Sequence, residues 1–427
     1  MKKFFLLLIS LILSFTSTVT WAQEVITVEG PEGEDEEIVL PEGLTMEEDS
    51  LLQLWQSKMY LYTDSTCQNP NYNPPYPEET YRERLRRMPC VMEMPWNPIV
   101  QRFIDRYTNR LRRSVSIMLA SGNFYIPIFE EALDLYGLPL ELKYLPVIES
   151  ALDPFAVSPA GATDLWQFML GTGKQYGLRV NSLVDERKDP IKATFAAAKY
   201  LRDLYKIYGD WSLVIAAYNC GPGKVNQAIH RANGSRDYWE IYPYLPRETR
   251  GYVPAFIAAN YIMTYYCEHN ICAMQTRMPM ATDTIVVSRD LHFSQIADLC
   301  NISIEAIKAL NPQYKTQVVP GDWEPSVLRL PLETLNTLID YKDSVYNYRA
   351  DELFKRRSSV EVKDVVAPKP APRVSKGKGR AKAGRKGSKG RRGKATSSRR
   401  ASHSSKSAGK SSGRKKSSKS SSRKKRR

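Results

Sequence analysis

A mainly α-helical chain is predicted, and three observations predict it. Apolar residues recur at helical spacing from about residue 97 to residue 275. The texture then changes at residues 283–331, where two β-like runs bracket two short helical stretches. Both ends of the chain lack any pattern that would build a core. The expected architecture is one all-helical domain, a small β-α-α-β unit and disordered termini.

The helices are read in chain order. Ile99, Phe103, Ile104 and Tyr107 keep helical spacing, and a second run covers Ser114 to Leu119. Phe129 to Tyr136 predicts another short helix, stopped by Gly137. The clearest helix is Ile191 to Tyr208. Asp189 is placed to cap it, Pro190 suits its first turn, and Ala193, Ala196, Ala197, Tyr200, Leu201, Leu204 and Tyr205 share one face. Trp211 to Asn219 runs into the breaker Gly221-Pro222-Gly223, and Lys224 to Ala232 is stopped by Gly234. An apolar run within 247–267 completes the domain. In the following unit, Thr284 to Val287 and Val327 to Leu330 are the strands, with helices around Ser294–Cys300 and Ile304–Leu310.

The flanking segments carry most of the charge asymmetry. Residues 375–427 hold 23 Lys or Arg and no Asp or Glu, so removing this tail from the chain's net +16 leaves −7 for residues 1–374. The basic character belongs to the tail, which excludes reading the folded part as a nucleic-acid binder. The tail has no aromatics for base stacking. Anionic envelope polymers or phospholipid headgroups are its expected partners, and nucleic acid is not. Residues 1–22 read as a secretory signal peptide: Met1-Lys2-Lys3, a short apolar core from Phe4 to Phe15, then small residues ending at Ala22. The chain is therefore expected in the periplasm or cell envelope. Residues 23–50 contain eleven acidic side chains and no Lys or Arg, and are expected to be disordered. Residues 51–96 form an N-terminal extension, and residues 334–374 are expected to be a linker. Six cysteines allow 15 full pairings in an oxidising compartment, or none. The four histidines show no metal-ligand spacing, and neither a metal nor a cofactor is expected.

The chemistry is carried by Leu145-Pro146-Val147-Ile148-Glu149-Ser150 and by four motifs downstream of it. A carboxylic acid among apolar neighbours is held in its neutral form by burial, and can then donate a proton near neutral pH. The downstream motifs are Ser158-Pro159-Ala160-Gly161-Ala162, Leu165-Trp166-Gln167-Phe168-Met169, Ala217-Tyr218-Asn219-Cys220-Gly221 and Glu248-Thr249-Arg250-Gly251-Tyr252-Val253-Pro254. These ordered motifs, together with the stretch from Tyr125 to Ser150, resemble the membrane-bound lytic murein transglycosylase D family. The resemblance implies a lysozyme-like helical domain at 97–275 that cleaves peptidoglycan glycan strands. Glu149 would protonate the oxygen between N-acetylmuramic acid and N-acetylglucosamine, then act as base on the muramic 6-hydroxyl. It further implies that Ser150 and Gln167 contact the sugar, that Tyr218 hydrogen-bonds near Glu149 and sets its state, that Asn219 holds that loop, and that Tyr252 lines the groove. Trp166 is expected to pack rather than stack on ligand.

Two positions depart from the family pattern: Asp164 replaces a usual Gly, and Leu170 a common Pro. Asp tolerates the left-handed turn that a Gly there suggests, and it is expected to bring a negative charge near the groove. The unit at 280–333 is similar to a LysM module through Phe293-Ser294-Gln295-Ile296-Ala297, Ile304 to Ala309, Asn311-Pro312 and Leu328-Arg329-Leu330. It stands either as a glycan-binding module or as a structural appendage. A lysozyme-like hydrolase and a non-catalytic peptidoglycan scaffold are the competing readings of the whole chain.

Overall fold

The computed structural model describes residues 24–29, 34–46, 51, 61–62, 67–276, 281–341 and 343–354. The expected signal peptide (1–22) and basic tail (375–427) lie outside the described residues. The helical domain is built from α1 (Glu78–Arg87), α2 (Pro98–Asp105), α3 (Arg112–Leu135), α4 (Leu145–Ser150), α5 (Leu170–Gln175), α6 (Pro190–Tyr208), α7 (Trp211–Cys220), α8 (Pro222–Arg231), α9 (Tyr238–Ile241), α10 (Arg247–Arg250) and α11 (Tyr252–Tyr265). Phe103, Tyr107, Tyr125, Phe129, Trp166 and Phe256 are fully buried at its centre. Truncating such an aromatic to Ala costs about 3–5 kcal/mol. Residues Tyr252 to Met263 of α11 are buried on every face, which is why this helix reads as a continuous apolar run rather than a stripe.

The helix caps follow the sequence closely. The Asp189 carboxylate accepts from the amides of Ile191 and Lys192 at 3.0 and 3.1 Å, and Gly209 ends α6 with φ +63°. Asp210 caps α7 through the Leu213 amide at 2.8 Å. One expectation changes. The two short helices predicted around 114–119 and 129–136 are parts of a single helix, α3, with Pro127 inside it. A proline in a helix interior costs about 3 kcal/mol. Burial of Tyr125, Phe129, Ala132 and Leu133 on both sides of it outweighs that cost.

The described residues of the acidic N-terminal segment, 24–29 and 34–46, are ordered, contrary to the expected disorder. β1 (Val25–Glu29) and β2 (Asp35–Val39) pair antiparallel, and a 3-10 turn follows at Glu42–Leu44. Ile38 and Leu44 are wholly buried against the helical domain. The acidic side chains that suggest a solvated coil are answered by distant cations. Glu24 pairs with Arg106 at 2.8 Å and Arg110 at 2.6 Å, Glu36 with Arg250 at 2.5 Å, and Glu37 with Arg247 at 2.9 Å. In the N-terminal extension, β3 (Leu61–Tyr62) pairs with β4 (Gln275–Thr276), and beside them Cys67 is disulfide-bonded to Cys272. Cys90, Cys220, Cys267 and Cys300 are free thiols.

The second unit has the two expected strands around two helices, with one further short strand on each side of the helices. β5 (Thr282–Val287) pairs antiparallel with β8 (Ser326–Pro331), and β6 (Leu291–His292) with β7 (Val318–Val319). α12 (Phe293–Cys300) and α13 (Ile304–Leu310) lie between. The unit extends beyond residue 333. Leu335 and Leu338 of α14 (Leu332–Tyr341), and Val345, are buried in the same core as Phe293, Ile307 and Leu328. Residues 334–341 and 343–354, expected to be part of a linker, therefore belong to the fold. The unit is tied to the helical domain by a bridge between Val184 and Tyr314, by Asp185 N–H donating to Gln313 O at 2.8 Å, and by Lys315 N–H donating to Leu183 O at 2.9 Å.

Candidate active site

Glu149 is the penultimate residue of α4. Pro146 sits in the helix's first turn, and the left-handed Ala151 (φ 50°) ends it, so the acid projects from a short, rigid helix into a groove of about 460 Å³. Residues 39–42, Gln167, Phe168, Tyr218, Asn219, Glu248 and Tyr252 also line this groove. Glu149 keeps a partial opening to the groove, yet protein encloses most of its carboxyl. Burial pushes its pKa up to about 8; a hydrogen bond from Tyr252 opposes the rise, and the charge of Glu42 adds to it. The acid is therefore protonated at neutral pH, as a proton donor to a poor leaving group must be.

The donor to Glu149 is Tyr252, whose hydroxyl bonds one carboxyl oxygen. This is the role expected of Tyr218. The Tyr218 hydroxyl instead donates to the Trp166 carbonyl at 2.8 Å, so Tyr218 anchors the segment carrying Gln167. Burial holds both tyrosines well above the ordinary phenol range, which keeps them hydrogen-bond donors. Asn219 accepts from Thr249 Oγ1 at 2.8 Å, which fastens the end of α7 to α10 and so to the start of α11. Trp166 is buried and donates to Thr194 Oγ1 at 2.9 Å, a packing residue as expected.

Ser150 does not reach the groove. It is wholly buried, and its hydroxyl is spent on the carbonyls of Pro146 and Leu165 at 3.1 and 3.0 Å, so it braces the acid's helix against the next motif. Gln167 lines the groove. Its amide nitrogen donates to Asp164 O at 2.8 Å, whereas its side-chain oxygen has no partner.

Asp164 behaves differently from expectation. It adopts φ +78° and is fully buried, and neither carboxyl oxygen makes a hydrogen bond of good geometry, although the Leu165 amide lies near. Burial raises its pKa well above the usual carboxylate range and so favours its neutral form. The charge that Glu149 does feel comes from Glu42. Arg187 is a second residue to which the motifs do not point. Held by Asp185 at 2.8 Å, it donates to Phe168 O at 2.9 Å and Gly161 O at 3.1 Å, fixing one groove wall from behind.

Two parts of the chain match known families. Residues 127–241 match the transglycosylase SLT domain, and residues 281–347 match the LysM-like domain of lytic transglycosylase MltD. The chain is 36% identical over 199 residues to membrane-bound lytic murein transglycosylase D of Escherichia coli (strain K12), spanning 46% of this chain and 43% of that protein. It is 32% identical over 124 residues to the soluble lytic murein transglycosylase of the same organism, across 28% of this chain and 19% of that one. Among solved structures, the 70 kDa soluble lytic transglycosylase of Escherichia coli aligns over 35% of this chain and 26% of that one, at 28% identity and TM-score 0.30. The chain thus spans less than half the length of the curated relatives it matches. Its helical domain matches an SLT domain and its second unit a LysM-like domain. The two domain matches and the 36% identity over 199 residues make the chain similar to the membrane-bound lytic murein transglycosylase D family.

Proposed function

We propose that this protein is a lytic transglycosylase of peptidoglycan. Glu149 donates its proton to the glycosidic oxygen as the bond from the N-acetylmuramic acid C1 breaks, and the bonding pair leaves with the N-acetylglucosamine O4. The muramic 6-hydroxyl then bonds to C1 and returns its proton to the Glu149 carboxylate. No water is consumed, and the product ends in 1,6-anhydromuramic acid. The observation that carries this reading is a single buried, neutral carboxyl in an open groove, fixed by Tyr252. The substrate supplies the nucleophile, so one protein acid/base suffices. Gln167 supports the reading as an amide side chain on the groove wall, and Tyr218 and Asn219 hold the walls around it.

The Cys67–Cys272 disulfide supports an oxidising compartment, in keeping with export to the periplasm or cell envelope. Among the described residues no helix is long and apolar enough to cross a membrane. The basic tail would add contacts to anionic envelope surfaces, weakening with salt.

The test is the mass of the glycan fragments released from purified sacculi by wild type and by Glu149→Gln. Anhydromuramic products, one water lighter than hydrolysed ones, with loss of release in the variant, are expected. Reducing-end products alone would make the protein a hydrolase. Equal release by both proteins would make it a non-catalytic binder.

A further inference from the structure

We propose that Glu42 is a positioning residue of the active site: the N-terminal segment carries a second carboxylate into the groove that holds Glu149, on a turn seated against Glu149's own helix. This rests on the function proposed above and extends it to a segment outside the matched families, which begin at residue 127.

The seat is specific. A Cβ on Gly43 would stand 2.3 Å from Val147 O and 2.8 Å from the Ile148 carbonyl group, so only glycine lets this turn lie on α4 immediately before Glu149. Leu44 is wholly buried, and its carbonyl accepts two N–H groups of Arg106 at 3.0 and 3.2 Å. Upstream, Ile38 packs where Gly251 leaves room: a Cβ on Gly251 would stand only 2.6 Å from Ile38 Cγ2, and Gly251 directly precedes Tyr252. Glu36 accepts from the Tyr242 hydroxyl at 3.1 Å while pairing with Arg250 at 2.5 Å. The segment is thus fastened both to the helix of the acid and to the start of the helix of its donor. Between these anchors, Val39, Leu40, Pro41 and Glu42 form part of the groove wall.

Glu42 is exposed to the open groove, yet the walls around it desolvate its carboxyl enough to raise its pKa. The other charged and titratable groups on the elements packed against α4 are answered elsewhere or neutral. Glu141 accepts from the amides of Val91 and Met92, and Lys143 pairs with Glu130 at 2.6 Å. Tyr252 and Tyr218 stay protonated. Glu248 stands at the groove lining, but it is Glu42 whose charge acts on Glu149. An ionised Glu42 disfavours ionisation of Glu149, which keeps the proton in place before cleavage. It also strengthens the Glu149 carboxylate as the base that must collect the 6-hydroxyl proton.

The experiment uses the full chain with soluble uncrosslinked glycan strands, reading kcat and KM against pH, and titrates the Glu149 side-chain carboxyl by 13C NMR in the resting protein. Wild type is expected to lose activity as pH rises through about 8. Glu42→Gln should move that fall and the NMR midpoint down by about half a unit, a roughly threefold loss on the alkaline side with little change near pH 6 and little change in KM. Glu42→Asp should restore most of the shift. Gly43→Ala keeps the charge but lifts the turn from α4, and should lower the midpoint as Glu42→Gln does; unchanged melting temperatures identify folded variants. Superimposable midpoints for wild type and Glu42→Gln would overturn the proposal, as would a loss of kcat equal at every pH. A wild type whose Glu149 titrates with the expected dependence on Glu42, but which releases no anhydro product, would sink the proposed function and leave the coupling standing.

Discussion

Glu149 and Asp164 are both buried acids within one stretch of the helical domain, and burial raises the pKa of both. They differ in what surrounds the carboxyl. Glu149 has a donor in Tyr252, a charged neighbour in Glu42 and an opening to the groove. Asp164 has neither a hydrogen-bonded partner nor solvent, and sits in a left-handed backbone conformation. Desolvation alone raises a pKa; chemistry also requires access and a partner that can follow the change in charge. The first acid is arranged for proton transfer, and the second is a local liability that the core tolerates.

Four substitutions sharpen this contrast, the largest first. Glu149→Gln should reduce anhydro-product release by about a thousandfold or more. It should also stabilise the fold. The folded pKa of about 8 lies above the unfolded value of 4.5, so between these the unfolded state loses a proton that the folded state keeps, and wild-type stability declines as pH rises through that window. Thermal melts should show no gain for the variant near pH 4 and a gain on the order of 2–3 kcal/mol near pH 7. Tyr252→Phe removes the donor to Glu149 and should lower kcat about ten- to hundredfold. Because that hydrogen bond favours the charged form, the alkaline fall in activity should move upward in pH, opposite to the shift expected for Glu42→Gln. Gln167→Ala should raise KM about tenfold with a smaller effect on kcat, since it removes the amide side chain on the groove wall. Asp164→Gly should leave activity within about twofold while raising the melting temperature, the more so as pH rises above the ordinary Asp range, because burial holds the folded carboxyl above its unfolded pKa. A large activity loss in Asp164→Gly would erase the distinction between the two acids.

Much of this site is legible in the sequence because the ordered motifs fall on the elements that build it. Glu149, Gln167, Tyr218, Asn219 and Tyr252 all line one groove. The Asp189 cap and the Gly209 stop are visible because helix ends are decided by neighbours in the chain. The hidden features depend on contacts far apart in sequence. The acidic segment reads as solvated because composition counts Glu24, Glu36 and Glu37 but not their partners Arg106, Arg250 and Arg247. Tyr218 and Tyr252 exchange roles because only the packing of α7 and α11 around α4 determines which hydroxyl reaches the acid. Ser150 reads as a sugar contact from its place beside Glu149, but one step along a helix turns a side chain by about 100°, here into the core.

The most direct test is mass analysis of muropeptides released from purified sacculi by the wild-type chain and by Glu149→Gln at pH 7. Anhydromuramic ends from wild type and almost none from the variant are expected. Reducing-end muramic acid alone, or equal release by both proteins, would contradict the assignment of Glu149 as acid and base.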